Sequence, residues 1–138
     1  MPKKQTHRKR LSRQEKNDLD IEIGFLEGVI KRDPKYIDAL QILGDDYTRR
    51  GSFAEGLDVD EILSKLKPED SLVHYNLACS YSLTEQYALA ADALEHAVAL
   101  GYRDFKWLSE DPDLANLRKH ASYRRIRAKL RSLRIKIH

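Results

Sequence analysis

The chain is poor in the residues that usually mark a staple or a reactive site. It has one cysteine, Cys79, in 138 residues. That excludes an intrachain disulfide framework and fits a reducing compartment such as the cytoplasm. Four prolines and six glycines are too few for a low-complexity chain. No apolar run reaches the roughly 18 residues that a membrane span requires. The start is basic, but no apolar signal core follows it, so export is not expected. The patterns G-x-x-x-x-G-K-[ST], H-E-x-x-H and G-x-S-x-G are all missing. No ready-made phosphate cradle or hydrolase motif is therefore at hand. The expectation is a protein that is not an enzyme, with no cofactor, no metal and no catalytic residue.

Charge is present but segregated. Residues 1–16 hold seven Lys/Arg against Glu15, and residues 118–138 hold nine Lys/Arg and no acid. The stretch 17–117 has nine basic against 21 acidic residues, a net of −12. Such asymmetry bears on partners and solubility rather than on fold. Residues 1–11 lack apolar periodicity and read as a disordered basic arm. Its Arg8, Lys9 and Arg10 either stay solvated or meet nucleic acid or an acidic protein face.

What the chain does have is a duplication. Shifted by 34 residues, Leu43 falls on Leu77, Gly44 on Ala78, Tyr47 on Tyr81, Phe53 on Tyr87 and Gly56 on Ala90. The units span about 37–70 and 71–102, and each contains two helical patterns with a short break. A fixed period of this size predicts stacked helical hairpins.

Taken in order, Ser12 and Glu15 form a capping box that opens helix one, over about 13–32. Leu19, Ile23, Leu26 and Ile30 form one face, widened by Phe25 and Val29. Four more helices follow, over about 36–50, 53–66, 71–83 and 86–100. Gly51 and Gly101 are their stops, and Phe53, Leu57, Ile62, Leu63 and Leu66 are the apolar contacts of the third. Gly44 and Gly56 lie inside helices at a cost of about 1 kcal/mol relative to Ala, which points to close backbone approach. Phe105, Trp107 and Leu108 suit a short turn, with Tyr102 and Phe105 joining Trp107 in a core cluster. Asp111-Pro112 starts another turn, and a final helix covers about 121–134.

These residues resemble the tetratricopeptide repeat family. The first unit supplies Leu40, Leu43-Gly44, Tyr47, Gly51, Phe53, Gly56 and Pro68. The second supplies His74, Leu77-Ala78, Tyr81, Tyr87, Ala90, Leu94 and Ala97. Asp60, His74 and Tyr102 depart from the family pattern, and Asp60 suggests loose packing. The segment 103–138 is similar to the end-of-group tail that closes such arrays in some bacterial proteins. The resemblance implies an all-α, right-handed hairpin solenoid over residues 12–138, with an N-terminal half repeat, two full repeats and capping helices. It also implies a bacterial, cytoplasmic scaffold that binds another protein.

In such stacks the first helix of each unit lines a concave face. Here that stripe would be Asp38, Gln41, Asp45 and Thr48, with Arg49 nearby, then Leu72, Tyr75, Cys79 and Ser82, with Asn76 beside it. It suits a peptide segment of a partner, unless the chain's own first or last helix fills it. Asn76 matches an Asn that the family uses to hold a ligand's backbone. The competing reading uses the basic final helix. Its Arg124, Arg125, Arg127 and Arg131 would grip RNA or DNA or lie on anionic lipid, or its apolar face would dock on the repeats. Asp92 and His96 are spaced for a shared metal but are too few. His74 and Cys79 fall on different helical faces, which disfavours a nucleophile pair.

Overall fold

A computed structural model of the protein describes residues 10–137, with side-chain environments through residue 133. Arg8 and Lys9, and the basic arm apart from Arg10 and Leu11, lie outside the described residues. The described chain is all-α. Its helices are α1 (Arg13–Arg32), α2 (Ile37–Arg50), α3 (Phe53–Leu66), α4 (Ser71–Leu83), α5 (Tyr87–Ala99), α6 (Phe105–Glu110), α7 (Ala115–Lys119) and α8 (Arg124–Ile137). Two single 3-10 turns, Pro112–Leu114 and Ala121–Tyr123, precede α7 and α8.

The caps explain the boundaries. Ser12 Oγ accepts from Glu15 N at 3.1 Å, and Glu15 Oε1 accepts from Ser12 N at 2.9 Å, so two orphan donors of α1 are satisfied. Gly51 ends α2 at φ 89°, a left-handed value that suits glycine. Asp70 Oδ1 accepts from Leu72 N and Val73 N at the start of α4. Asp104 Oδ1 accepts from Trp107 N at the start of α6.

From α1 to α5 each helix packs on its neighbour in sequence, as short connections require. Gly44 and Gly56 sit where α2 crosses α3. A Cβ on Gly44 would stand 3.2 Å from Val59 Cγ1, and one on Gly56 would stand 3.3 Å from Thr48 Oγ1. The close approach expected from sequence is therefore present. Ala78 and Ala90, the matching positions of the second unit, are fully buried.

The period recurs in three dimensions. The Tyr47 hydroxyl donates to Glu27, and the Tyr81 hydroxyl donates to Glu61 Oε2 at 3.0 Å, each reaching a carboxylate twenty residues back. The turns repeat too. Ser52 N donates to Tyr47 O at 2.8 Å, and Gln86 N donates to Tyr81 O at 2.9 Å. Glu85 occupies the place of Gly51 and holds the same left-handed turn at φ 62°.

Three packing expectations are corrected. Phe25 does not widen the buried face of α1: it is 70% exposed, because α2 covers only the Ile23–Leu26 side. Ile62 is likewise exposed on α3. Asp60 does not loosen its surroundings. It is buried and accepts from Ser80 Oγ at 2.5 Å, linking α3 to α4.

The second core cluster continues past the repeats. Tyr102, Phe105, Leu108, Leu114, Leu117, Tyr123, Ile126 and Leu130 extend the α4–α5 core, with Trp107 packed at its edge. Tyr102 and Phe105 thus bury as expected and Trp107 only in part, and the rings of Tyr75 and Tyr102 stack at 4.3 Å. The final helix docks through Ile126 and Leu130. Its Arg125 pairs with Asp92 and, at 3.5 Å, with Glu95 of α5.

Candidate functional site

A groove of about 630 Å³ opens between α1, α2, α3 and the start of α4. Its position follows from the stacking. α2 turns Leu40, Leu43 and Tyr47 into the core, which leaves the opposite helical stripe outward. Asp38, Gln41, Asp45 and Arg49 line the groove from α2, and Leu72 and Asn76 line it from α4. These six residues nominated from sequence, and Thr48 at the inner wall, are brought together. The Asn76 carboxamide is partly buried, and its Oδ1 receives no hydrogen bond from any described residue.

Three nominated residues do not line the groove, and a fourth, Thr48, lines it only from its buried inner wall. Thr48 is buried, and its hydroxyl donates to Gly44 O at 3.1 Å, so it belongs to the α2–α3 crossing. Tyr75, Cys79 and Ser82 are buried, at 1%, 0% and 2% exposure. The cause is the tail. The Pro112–Leu114 turn and α7 lie on α4, and Asp111 reaches under them. Asp111 Oδ2 accepts from the Tyr75 hydroxyl at 2.7 Å and from Cys79 Sγ at 3.6 Å, while its Oδ1 accepts from Asp113 N at 3.0 Å. Burial pushes the Tyr75 phenol well above its usual range, so it stays a donor. The chain's own capping segment thus fills the second half of the expected concave face.

Cys79, Asp111 and Asp113 bring their ligand atoms within 4.8 Å of one another. The hydrogen bonds just given, a helix-start cap and two side-chain donors, account for that closeness. His96 faces the ring of His74 edge-on at 4.4 Å rather than joining Asp92, and Asp92 is bound to Arg125.

Sequence reasoning did not nominate Glu22, Asp46 or Lys67, which also line the groove. Asp46 is the most unusual. Its side chain is 4% exposed, and Arg49 Nη1 lies 4.0 Å from its Oδ1. Burial, then a hydrogen bond with the Glu22 carboxyl, raises its pKa to about 7. A carboxylate taken from water beside another carboxylate keeps its proton. The acidic pair Asp45-Asp46 next to Gly44 was the available signal. Only the fold shows which of the two turns inward.

On α8, Arg124, Arg127, Lys129 and Arg131 are exposed. Arg127 lies over the Tyr123 ring at 5.2 Å and donates to Arg118 O at 3.3 Å. Among the described residues no helix is long and apolar enough to cross a membrane.

No protein-family model matches this sequence. The chain is similar to a chloroplastic protein of Arabidopsis thaliana, with 39% identity over 83 residues. The match takes in 58% of this chain and spans about a quarter, 25%, of that relative's length.

Proposed function

We propose that this chain is a non-catalytic protein–protein interaction module of tetratricopeptide type, which receives a peptide segment of another protein in the groove between α2 and α4. The observation that carries the reading is Asn76. Its buried carbonyl oxygen stands without a donor beside the outward stripe of α2. A buried acceptor left unpaired costs roughly 1–3 kcal/mol, and a guest backbone N–H would satisfy it. The repeated tyrosine–glutamate contact supports the hairpin stack on which the reading depends. The one buried thiol suits a reducing compartment, the cytoplasm of a bacterium being the setting that the family resemblance implies. The plant relative is instead a chloroplastic protein.

The test is selection of displayed random peptides on the intact chain, followed by fluorescence anisotropy. Selected peptides should bind Gln41→Arg and Asn76→Arg at least about tenfold more weakly, a loss near 1.4 kcal/mol. Peptides indifferent to both substitutions would remove the groove from consideration.

A second reading has its own support in the exposed Arg124, Lys129 and Arg131 of α8. These could hold RNA or DNA through phosphates. Replacing all three by Gln preserves the docked apolar face. Binding to mixed RNA that falls steeply with salt and disappears in this variant would favour nucleic acid over peptide.

A further inference from the structure

The charges of the groove are mostly of one sign. Glu22, Asp38, Asp45, Asp46, Asp60 and Asp70 line it, with only Arg49 and Lys67 of the opposite sign. Some of these acids already have structural work: Asp60 accepts from Ser80, and Asp70 caps α4 and pairs with Lys67 at 3.1 Å. Asp46 has no such donor. Its Oδ2 receives no hydrogen bond from any described donor group, although its side chain is almost wholly buried. Its neighbour from α1 is the carboxyl of Glu22, which brings no N–H or cation and can share with it only a carboxyl proton. The nearest cation, Arg49, approaches only the other oxygen, at 4.0 Å, and is 40% exposed. Two adjoining carboxyls with no donor between them must either retain a proton or hold a cation from outside.

The rest of the lining fits the stem of a long cationic side chain. Ile42, Leu63, Leu72 and Val73 supply apolar wall along which the methylenes of Lys or Arg can lie, with the charged head at the polar floor. Arg is the better match, since its planar fork can donate to two carboxylates at once.

We infer that the segment received by this groove carries an arginine or lysine whose head lies between Glu22 and Asp46 while its backbone N–H meets Asn76. The inference rests on the peptide-groove reading above and adds the charge of the guest. The long-range field agrees with it, because the body of the chain, residues 17–117, carries a net charge of −12. That field would attract any polycation, so the specific site must be separated from it.

The probes are fluorescein-labelled Arg-Gly-Ala and Glu-Gly-Ala repeat peptides, with the intact chain titrated by anisotropy at low and at physiological salt. The Arg peptide should bind and the Glu peptide should not. Glu22→Gln and Asp46→Asn should each weaken the Arg peptide about tenfold. Asp92→Asn and Glu95→Gln, on α5 beside Arg125 and outside the groove lining, change net charge equally and should cost less than about twofold. Glu22 is exposed, so its variant tests the site even if Asp46→Asn disturbs folding; thermal unfolding of each variant checks this. Equal losses in groove and control variants would reduce the effect to general attraction and overturn the inference. If uncharged selected peptides respond to Gln41→Arg while the Arg peptide does not respond to Glu22→Gln, the groove survives and its preference for a cation does not. If no peptide responds to any groove substitution, both readings fall. Concentration-dependent self-association abolished by Glu22→Gln would make the occupant the basic helix of a second copy and would overturn the partner-peptide form.

Discussion

Tyr47 and Tyr81 make one contact twice: each hydroxyl donates to a glutamate twenty residues earlier, from one helix to the helix before it. Tyr47 is the more buried of the two, and burial followed by its Glu27 partner pushes its phenol well above the usual range. Replacing either by Phe removes a charge-assisted hydrogen bond at a partly buried site. Each change should cost about 1–2 kcal/mol in urea unfolding, with Tyr47→Phe the larger. Double-mutant cycles with Glu27→Gln and Glu61→Gln should return couplings of the same sign and similar size. Coupling in one pair alone would show that the two niches are not energetic equivalents.

Asp46 gives a pH signature. A carboxyl whose folded pKa lies above its unfolded value binds its proton more tightly in the native state. Its contribution is full in acid, declines as pH rises from about 4 through the folded value, and is constant beyond. With a folded value of about 7, the decline ends near neutrality. Asp46→Asn cannot lose a proton, so its stability relative to the parent chain should be greater at pH 8 than at pH 5, by about 1–3 kcal/mol. Urea unfolding at both pH values measures this. A difference that does not change with pH would mean that Asp46 titrates as an ordinary carboxyl.

Asp111 clamps the tail onto α4. Asp111→Ala strands the Tyr75 hydroxyl and the Asp113 N–H together, so a loss of about 2–4 kcal/mol is expected. Cys79 provides a local readout because it is fully buried beneath the segment. In the native chain it should resist Ellman's reagent under conditions where Asp111→Ala reacts readily. Equal labelling rates would show that the segment opens without breaking this clamp.

The docking of α8 is assigned to its apolar face rather than to its charges. Ile126 is 1% exposed, and Ile126→Ala should cost about 2–5 kcal/mol. Arg125→Ala breaks two ion pairs whose members are largely in solvent. It should cost less than about 1 kcal/mol, measured by thermal or urea unfolding. The reverse order would make electrostatic attraction to the acidic body the main tether.

Local chemistry carried most of what could be read without coordinates. Ser12 and Gly51 mark helix ends because capping acts over three or four residues, and the apolar spacing of α2 left one stripe for Asp38, Gln41 and Asp45. What failed was long-range. Tyr75 and Cys79 have the spacing of an outward face, and nothing within their own helix shows that Asp111, 36 and 32 residues on, folds back onto them. Asp60 looked like a flaw in an apolar row because its partner, Ser80, lies on the next helix. Phe25 extends the apolar face of α1 in a helical projection, but α2 is too narrow a neighbour to reach it. Asp45 and Asp46 are alike as letters, and only the crossing of α1 over α2 decides which one loses its water.

Glu85 and Gly51 solve the same bend differently. Both joints need a left-handed residue, and the second supplies it with a side chain that is disfavoured there by about 1–2 kcal/mol. Exchanging it for glycine would relax the fold but also loosen the unfolded chain, leaving a net gain of about 1 kcal/mol or less. The molecule therefore carries an unrealised margin of toughness at a single exposed bend, distant in purpose from anything that meets a partner.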